Sequence, residues 1–171
     1  MQATRILLFF LVLTSTAFAQ NKDAETVFRA HLDSTQKPLD DIEGIWSVSN
    51  VQEYYRYDTL YDVVKYPKAA KVAVLRKDDG KYKSFDMNGD PYEVEFVPTD
   101  VKGVYLYRNY YKETNEFSKA RAVISRSGEM EYTYDFPDNY LRAHFTDTYE
   151  DGIRVANQLI WTRIYPPAEK Q

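Results

Sequence analysis

Two histidines and no cysteine leave this chain little with which to do nucleophilic or metal chemistry. Without a thiol there is no disulfide, no thiolate ligand, no cysteine nucleophile and no lipid-modified cysteine anchor. His31 and His144 stand far apart, with no acid or nucleophile spaced to serve either, and two imidazoles alone do not make a zinc set. No Gly-x-Ser-x-Gly elbow occurs. Glu93 and Glu95 have the composition of a glycosidase pair, but they alternate with Tyr92, Val94 and Phe96 and are turned outward on a strand. Asp86-Met87-Asn88-Gly89-Asp90 begins like a calcium loop, yet Pro91 stands where that loop needs its glycine and Val97 where it needs a bidentate glutamate. A hairpin turn accounts for the same residues. Asp147, Glu150 and Asp151 read as a solvated turn. These residues point away from catalysis, and no metal or cofactor is expected.

Binding is better provided for. The chain carries 16 tyrosines, 9 phenylalanines and 2 tryptophans, too many for a disordered chain and suited to half-buried strands. Arg108 and Tyr110 share a face of one strand, and Arg163 and Tyr165 share a face of another. An Arg-x-Tyr pair of this kind can bind a ligand. For Arg108 and Tyr110 there is a second explanation, an outer strand face covered by a helix or a partner chain.

The elements that must position these side chains begin after an export signal. Arg5 precedes the unbroken apolar run Ile6 to Leu13, and Ala17-Phe18-Ala19 ends the segment in the small-x-small pattern of a cleavage site. The run is far shorter than the ~20 residues of a membrane-spanning helix. Cleavage after Ala19, and a periplasmic or secreted location, are expected. The chain then divides into a helix and linker (20–43), a β region (44–165) and a polar tail (166–171). A net charge of −4 with no dense basic cluster argues against nucleic acid and anionic membranes as partners.

One helix is expected over 23–36, with Asp23 as its N-cap and Ala24, Val27, Phe28 and His31 as its apolar stripe, Leu32 lying beside it. His31 reads there as a partly buried packing residue. From Gly44 the pattern changes to period two, with strand-like runs at 45–57, 70–77, 81–87, 92–98, 103–112, 119–126, 129–136, 140–149 and 157–165. Turn chemistry separates them: Asp79-Gly80, Asn88-Gly89, Ser127-Gly128 and Asp151-Gly152. Short turns between successive strands force an antiparallel meander. Eight or nine such strands hide their edges best by closing into an up-and-down barrel, so the fold class is all-β with one N-terminal helix. A sandwich is the alternative. Charged positions on one face of several strands, such as Lys81 and Lys83 or Glu129 and Glu131, disfavour a lipid-facing barrel. Residues 58–69 interrupt the alternation and read as a lid or a loop packed on the wall.

Both ends of the β region carry a resemblance. Gly44-Ile45-Trp46 opens the first strand, and Trp161-Thr162-Arg163-Ile164-Tyr165 forms the last. This pairing resembles the calycin superfamily of lipocalins and fatty-acid-binding proteins. The resemblance implies structural roles for Gly44, Trp46 and Arg163, with the Arg163 guanidinium packed over the Trp46 ring at the closed end. It implies equally a carboxylate-holding role for Arg163 with Tyr165, and the two readings stay open. Together these features predict an exported barrel that binds a small apolar or amphipathic molecule, with Phe96, Tyr132, Tyr134 and Phe145 lining its interior. The alternative is the same barrel with a filled core, holding another exported protein through its tyrosines.

Overall fold

The computed structural model describes residues 23–144 and 152–167. The segment 1–19 expected to be a signal, Phe145, the acidic stretch 147–151 expected to be a turn, and most of the polar tail lie outside the described residues. Helix α1 (Ala24–Ser34) precedes eight strands: β1 (Gly44–Arg56), β2 (Thr59–Arg76), β3 (Tyr82–Phe85), β4 (Pro91–Pro98), β5 (Val104–Tyr111), β6 (Glu116–Ile124), β7 (Glu129–Asp135) and β8 (Ile153–Tyr165). Each strand pairs antiparallel with the next, and β8 returns to β1, closing an up-and-down barrel. No described helix is long and apolar enough to cross a membrane.

Alternation assigns the two faces. Trp46, Val48, Val72, Val74, Tyr82, Phe96, Tyr105, Tyr107, Ala122, Met130, Tyr132 and Trp161 form one buried cluster inside the barrel. A second cluster lies outside the wall, where Phe28 and Leu32 of α1 pack on Ile45, Ala73 and Phe85. The helix therefore buries an i, i+4 stripe of Ala24, Phe28 and Leu32. Val27 and His31 were expected on the stripe, but Val27 is 49% exposed and His31 faces solvent. Asp23 caps the helix, its carboxylate accepting from the Glu25 N–H.

Three local features depart from the sequence expectation. Residues 58–69 belong mostly to β2, neither lid nor loop, and Tyr57 and Asp58 make the preceding turn with φ of 47° and 62°. That is the left-handed turn a tight hairpin requires, built without glycine. A bulge near Lys68, at φ 56°, then shifts the register between Val48↔Ala70 and Asn50↔Tyr66. The bulge takes up two extra residues of β2 and leaves the parity of Ala70 and Tyr66 unchanged; the alternation looked broken because Thr59 to Ala69 is exposed on both faces except at Val64. The run expected as a strand over 140–149 begins as a short helix, α2 (Asp138–His144). Pro137 stops the ladder after Asp135, and the Leu141 N–H reaches back to the Pro137 carbonyl in an i→i−4 bond. Finally, a register shift between Ile45 and Trp46 pairs Trp46 with Arg163 but Ile45 with Tyr165. Arg163 stays with the inward residue and Tyr165 with the outward one, so the two do not share a face.

Gly44 sits at that shift with φ 153°, and a Cβ there would collide with the Tyr165 carbonyl oxygen. The closed end needs glycine for the backbone's approach.

Candidate functional site

The barrel interior has two unlike halves. Near Trp46 it is dry and filled. Tyr132 is 4% exposed, and Trp46 and Phe96 are fully buried. Tyr107, Tyr132 and Tyr134 continue upward as three rings in contact, with centroids 4.4 Å apart and planes tilted by 32° for Tyr107–Tyr132, and 5.2 Å and 30° for Tyr107–Tyr134. Above them the inward positions stay half-exposed: Asn50, Gln52, Val94, Asn109, Ala120, Tyr134 and Leu159. Ala120, Val94, Tyr134 and Leu159 still pack on the buried cluster. The interior thus has an aromatic floor below inward positions that are less completely buried.

Strand lengths explain the difference. The β2–β3 ladder covers only Ala73 to Arg76, and β6 and β7 are bonded through Val123↔Glu131 and Ile124↔Met130. Above that second seam the Ser118 hydroxyl donates to the Asp135 carbonyl at 2.7 Å in place of a ladder bond. On the β5–β7 side the mouth is covered by α2, whose Leu141 is 1% exposed and whose Tyr140 ring lies 4.5 Å from that of Tyr111.

One wall of the upper half is polar. Asn50 Nδ2 and Gln52 Nε2 both donate to Asn157 Oδ1, at 3.3 and 3.0 Å, and Gln52 Oε1 accepts from the Tyr54 hydroxyl at 2.9 Å. Asn157 is fully buried, yet its Nδ2 has no partner, and neither has the buried Oδ1 of Asn50. Unpaired buried groups of this kind are rare and costly, and a bound water or a ligand group would satisfy them. The surrounding tyrosines are neutral at physiological pH. Burial pushes the Tyr107, Tyr132 and Tyr134 phenols well above their ordinary range.

Of the residues expected at a site, Phe96, Tyr132 and Tyr134 line the interior together, with Phe96–Tyr132 centroids 6.0 Å apart. The others are elsewhere. Arg108 lies outside, paired with Glu95 at 2.9 Å and set over the Phe117 ring. Tyr110 stacks on Phe117 and donates to Asn115. Tyr165 lies under the Arg29 guanidinium, its hydroxyl bonded to Asp33. Arg163 is at the closed end, 4.5 Å over the Trp46 ring, donating to the Glu43 carbonyl at 2.9 Å and to the Asp41 carbonyl. Its donors are committed there. The amide cluster was missed because Asn50, Gln52 and Asn157 read as ordinary polar strand positions. Their one signal was parity, since each stands on the same side of its strand as an inward aromatic, Trp46 or Trp161.

The remaining candidates fit structural roles. Asp86 accepts from the Asp90 and Asn88 N–H groups, which lower its carboxyl pKa as expected of a hairpin turn. Glu93 pairs with Lys112 on the outside. His144 stacks on Tyr140 at 4.1 Å. Among the described residues no three His, Asp or Glu side chains group to hold a metal. A half-open cleft of about 480 Å³ beside α1 has a mixed charged lining that includes Lys37, Glu43, Arg76 and Asp78, so its walls are already paired or solvated. No protein-family model, curated protein or solved structure matches the chain.

Proposed function

We propose that this is an exported, lipocalin-like binding protein that holds a small amphipathic molecule non-covalently in a cup formed by the upper half of its barrel. The observation that carries the reading is the change from a dry floor to less completely buried inward positions along the same strands. A filled interaction module has no reason to leave Val94, Ala120 and Leu159 incompletely buried among the inward positions of its barrel. An apolar portion stacks on Tyr107, Tyr132 and Tyr134, where aromatic contact is favourable. A polar portion meets the amides above. Export rests on the signal-like segment 1–19, and the calycin likeness on Gly44, Trp46 and Arg163 together with the barrel.

The test is uptake of the neutral fluorescent probe N-phenylnaphthylamine. Wild type should bind it at micromolar concentration, and Ala120→Trp, which sets an indole into the cup, should bind at least about tenfold more weakly. Thermal melts establish that the variant is folded. Equal binding by a folded Ala120→Trp protein, or no uptake by wild type, overturns the proposal.

A further inference from the structure

From the amide cluster we infer that the polar end of the ligand is uncharged and carries a donor and an acceptor side by side, as a primary amide or lactam does. The inference rests on the cup being the binding site. Counting atoms in the cluster leaves little freedom. Asn157 Oδ1 accepts twice, Gln52 is satisfied at both ends, and Asn50 has spent its nitrogen. Turning the Asn157 amide over alone would set its nitrogen against two donors, and turning all three amides together only exchanges the free atoms of Asn50 and Asn157, still leaving one donor and one acceptor. What remains is one acceptor, Asn50 Oδ1, and one donor group, Asn157 Nδ2, on adjoining side chains. A ligand amide answers both at once, its N–H donating to Asn50 and its carbonyl accepting from Asn157.

A carboxylate answers only one of them. Its oxygens accept from Asn157 but leave Asn50 Oδ1 facing another acceptor. Nor is its charge met. Among the described residues no Lys or Arg stands inward at the level of this cluster. Arg163 and Arg76 are at the closed end, bound to the Asp41 and Glu43 carbonyls and to Asp40. At the rim, above the cluster, the inward register positions Asp62 and Glu116 are acidic and Arg56 is basic. Desolvating an anion here is uncompensated.

Octanamide and octanoate, equal in chain length, are to be competed against N-phenylnaphthylamine at neutral pH. Octanamide should displace the probe at least about tenfold more effectively. In Asn157→Leu the preference should fall to within about twofold while the probe still binds, and Asn50→Leu, which removes only the free acceptor, serves if the first variant does not fold. Octanoate displacing as well as octanamide overturns the inference and leaves the binding cup standing. A preference that survives in both folded variants overturns the role of the cluster. If the probe does not bind wild type at all, the cup reading fails and the inference with it.

Discussion

Raised above pH 10, the protein is expected to unfold cooperatively and to release its buried tyrosine protons in the same step. Desolvation is the first cause of the raised phenol pKa at Tyr107, Tyr132 and Tyr134, and it lifts Tyr105 to about 12. An unfolded phenol ionises near 10. Below that pH both states keep the proton and the contribution to stability is complete. Above it the unfolded chain gives up protons that the folded barrel retains, so stability falls with rising pH until the folded groups ionise too. Each buried phenol then subtracts about 1.4 kcal/mol per pH unit, and the three stacked rings together about 4 kcal/mol. A domain stable by roughly 5–15 kcal/mol cannot absorb that for long. Tyrosinate absorbance and far-ultraviolet dichroism should therefore show exposed tyrosines titrating smoothly near 10, followed by a steep joint transition. All 16 tyrosines titrating as one class, with the strand signal intact, would show that the stack is wet.

The second large effect is expected at the closed end. Trp46→Ala should cost about 3–5 kcal/mol and Arg163→Gln about 1–3 kcal/mol, with the double variant losing clearly less than the sum. The reason is shared anchorage. Trp46 Nε1 donates to the Ile42 carbonyl at 3.0 Å, and Arg163 takes the carbonyls of Glu43 and Asp41. Three consecutive carbonyls of the segment crossing the barrel end are thus held by two side chains that lie face to face. Burial lowers the Arg163 pKa, so the guanidinium pays for its place through those carbonyls and the indole face. Denaturant melts of both single variants and the double would check the coupling. Strictly additive losses would contradict it, and an unchanged midpoint for Arg163→Gln would return that residue to ligand binding.

The barrel was legible because its turns carry glycine at the joints and its central strands alternate without interruption, as Tyr92 to Phe96 and Met130 to Tyr134 do. Legibility failed where the local pattern did not carry the structure. Eleven residues of β2, Thr59 to Ala69, went unread because both of their faces are exposed apart from Val64. The shift beside Trp46 sent Tyr165 outside, which parity alone had placed with Arg163. Leu141 and Ala143 mimic a strand, yet Pro137 had already ended the ladder. The candidate site was half legible: the aromatic floor followed from alternation, while the amide cluster depends on which polar residues of β1 and β8 meet across the ladder. Gln52 opposite Asn157 is a fact of register, and register between strands so distant in sequence is set by the whole barrel.

The central claim is tested most directly by following backbone and side-chain amide resonances while N-phenylnaphthylamine or octanamide is added. The account predicts shifts concentrated at Asn50, Gln52, Asn109, Ala120, Tyr134, Asn157 and Leu159, with the Asn50 and Asn157 side-chain amides moving most under octanamide. Residues of α1 and of the closed end should stay in place. Shifts confined to the cleft between His31 and Arg76, or spread over the outer tyrosines, would contradict a ligand inside the barrel.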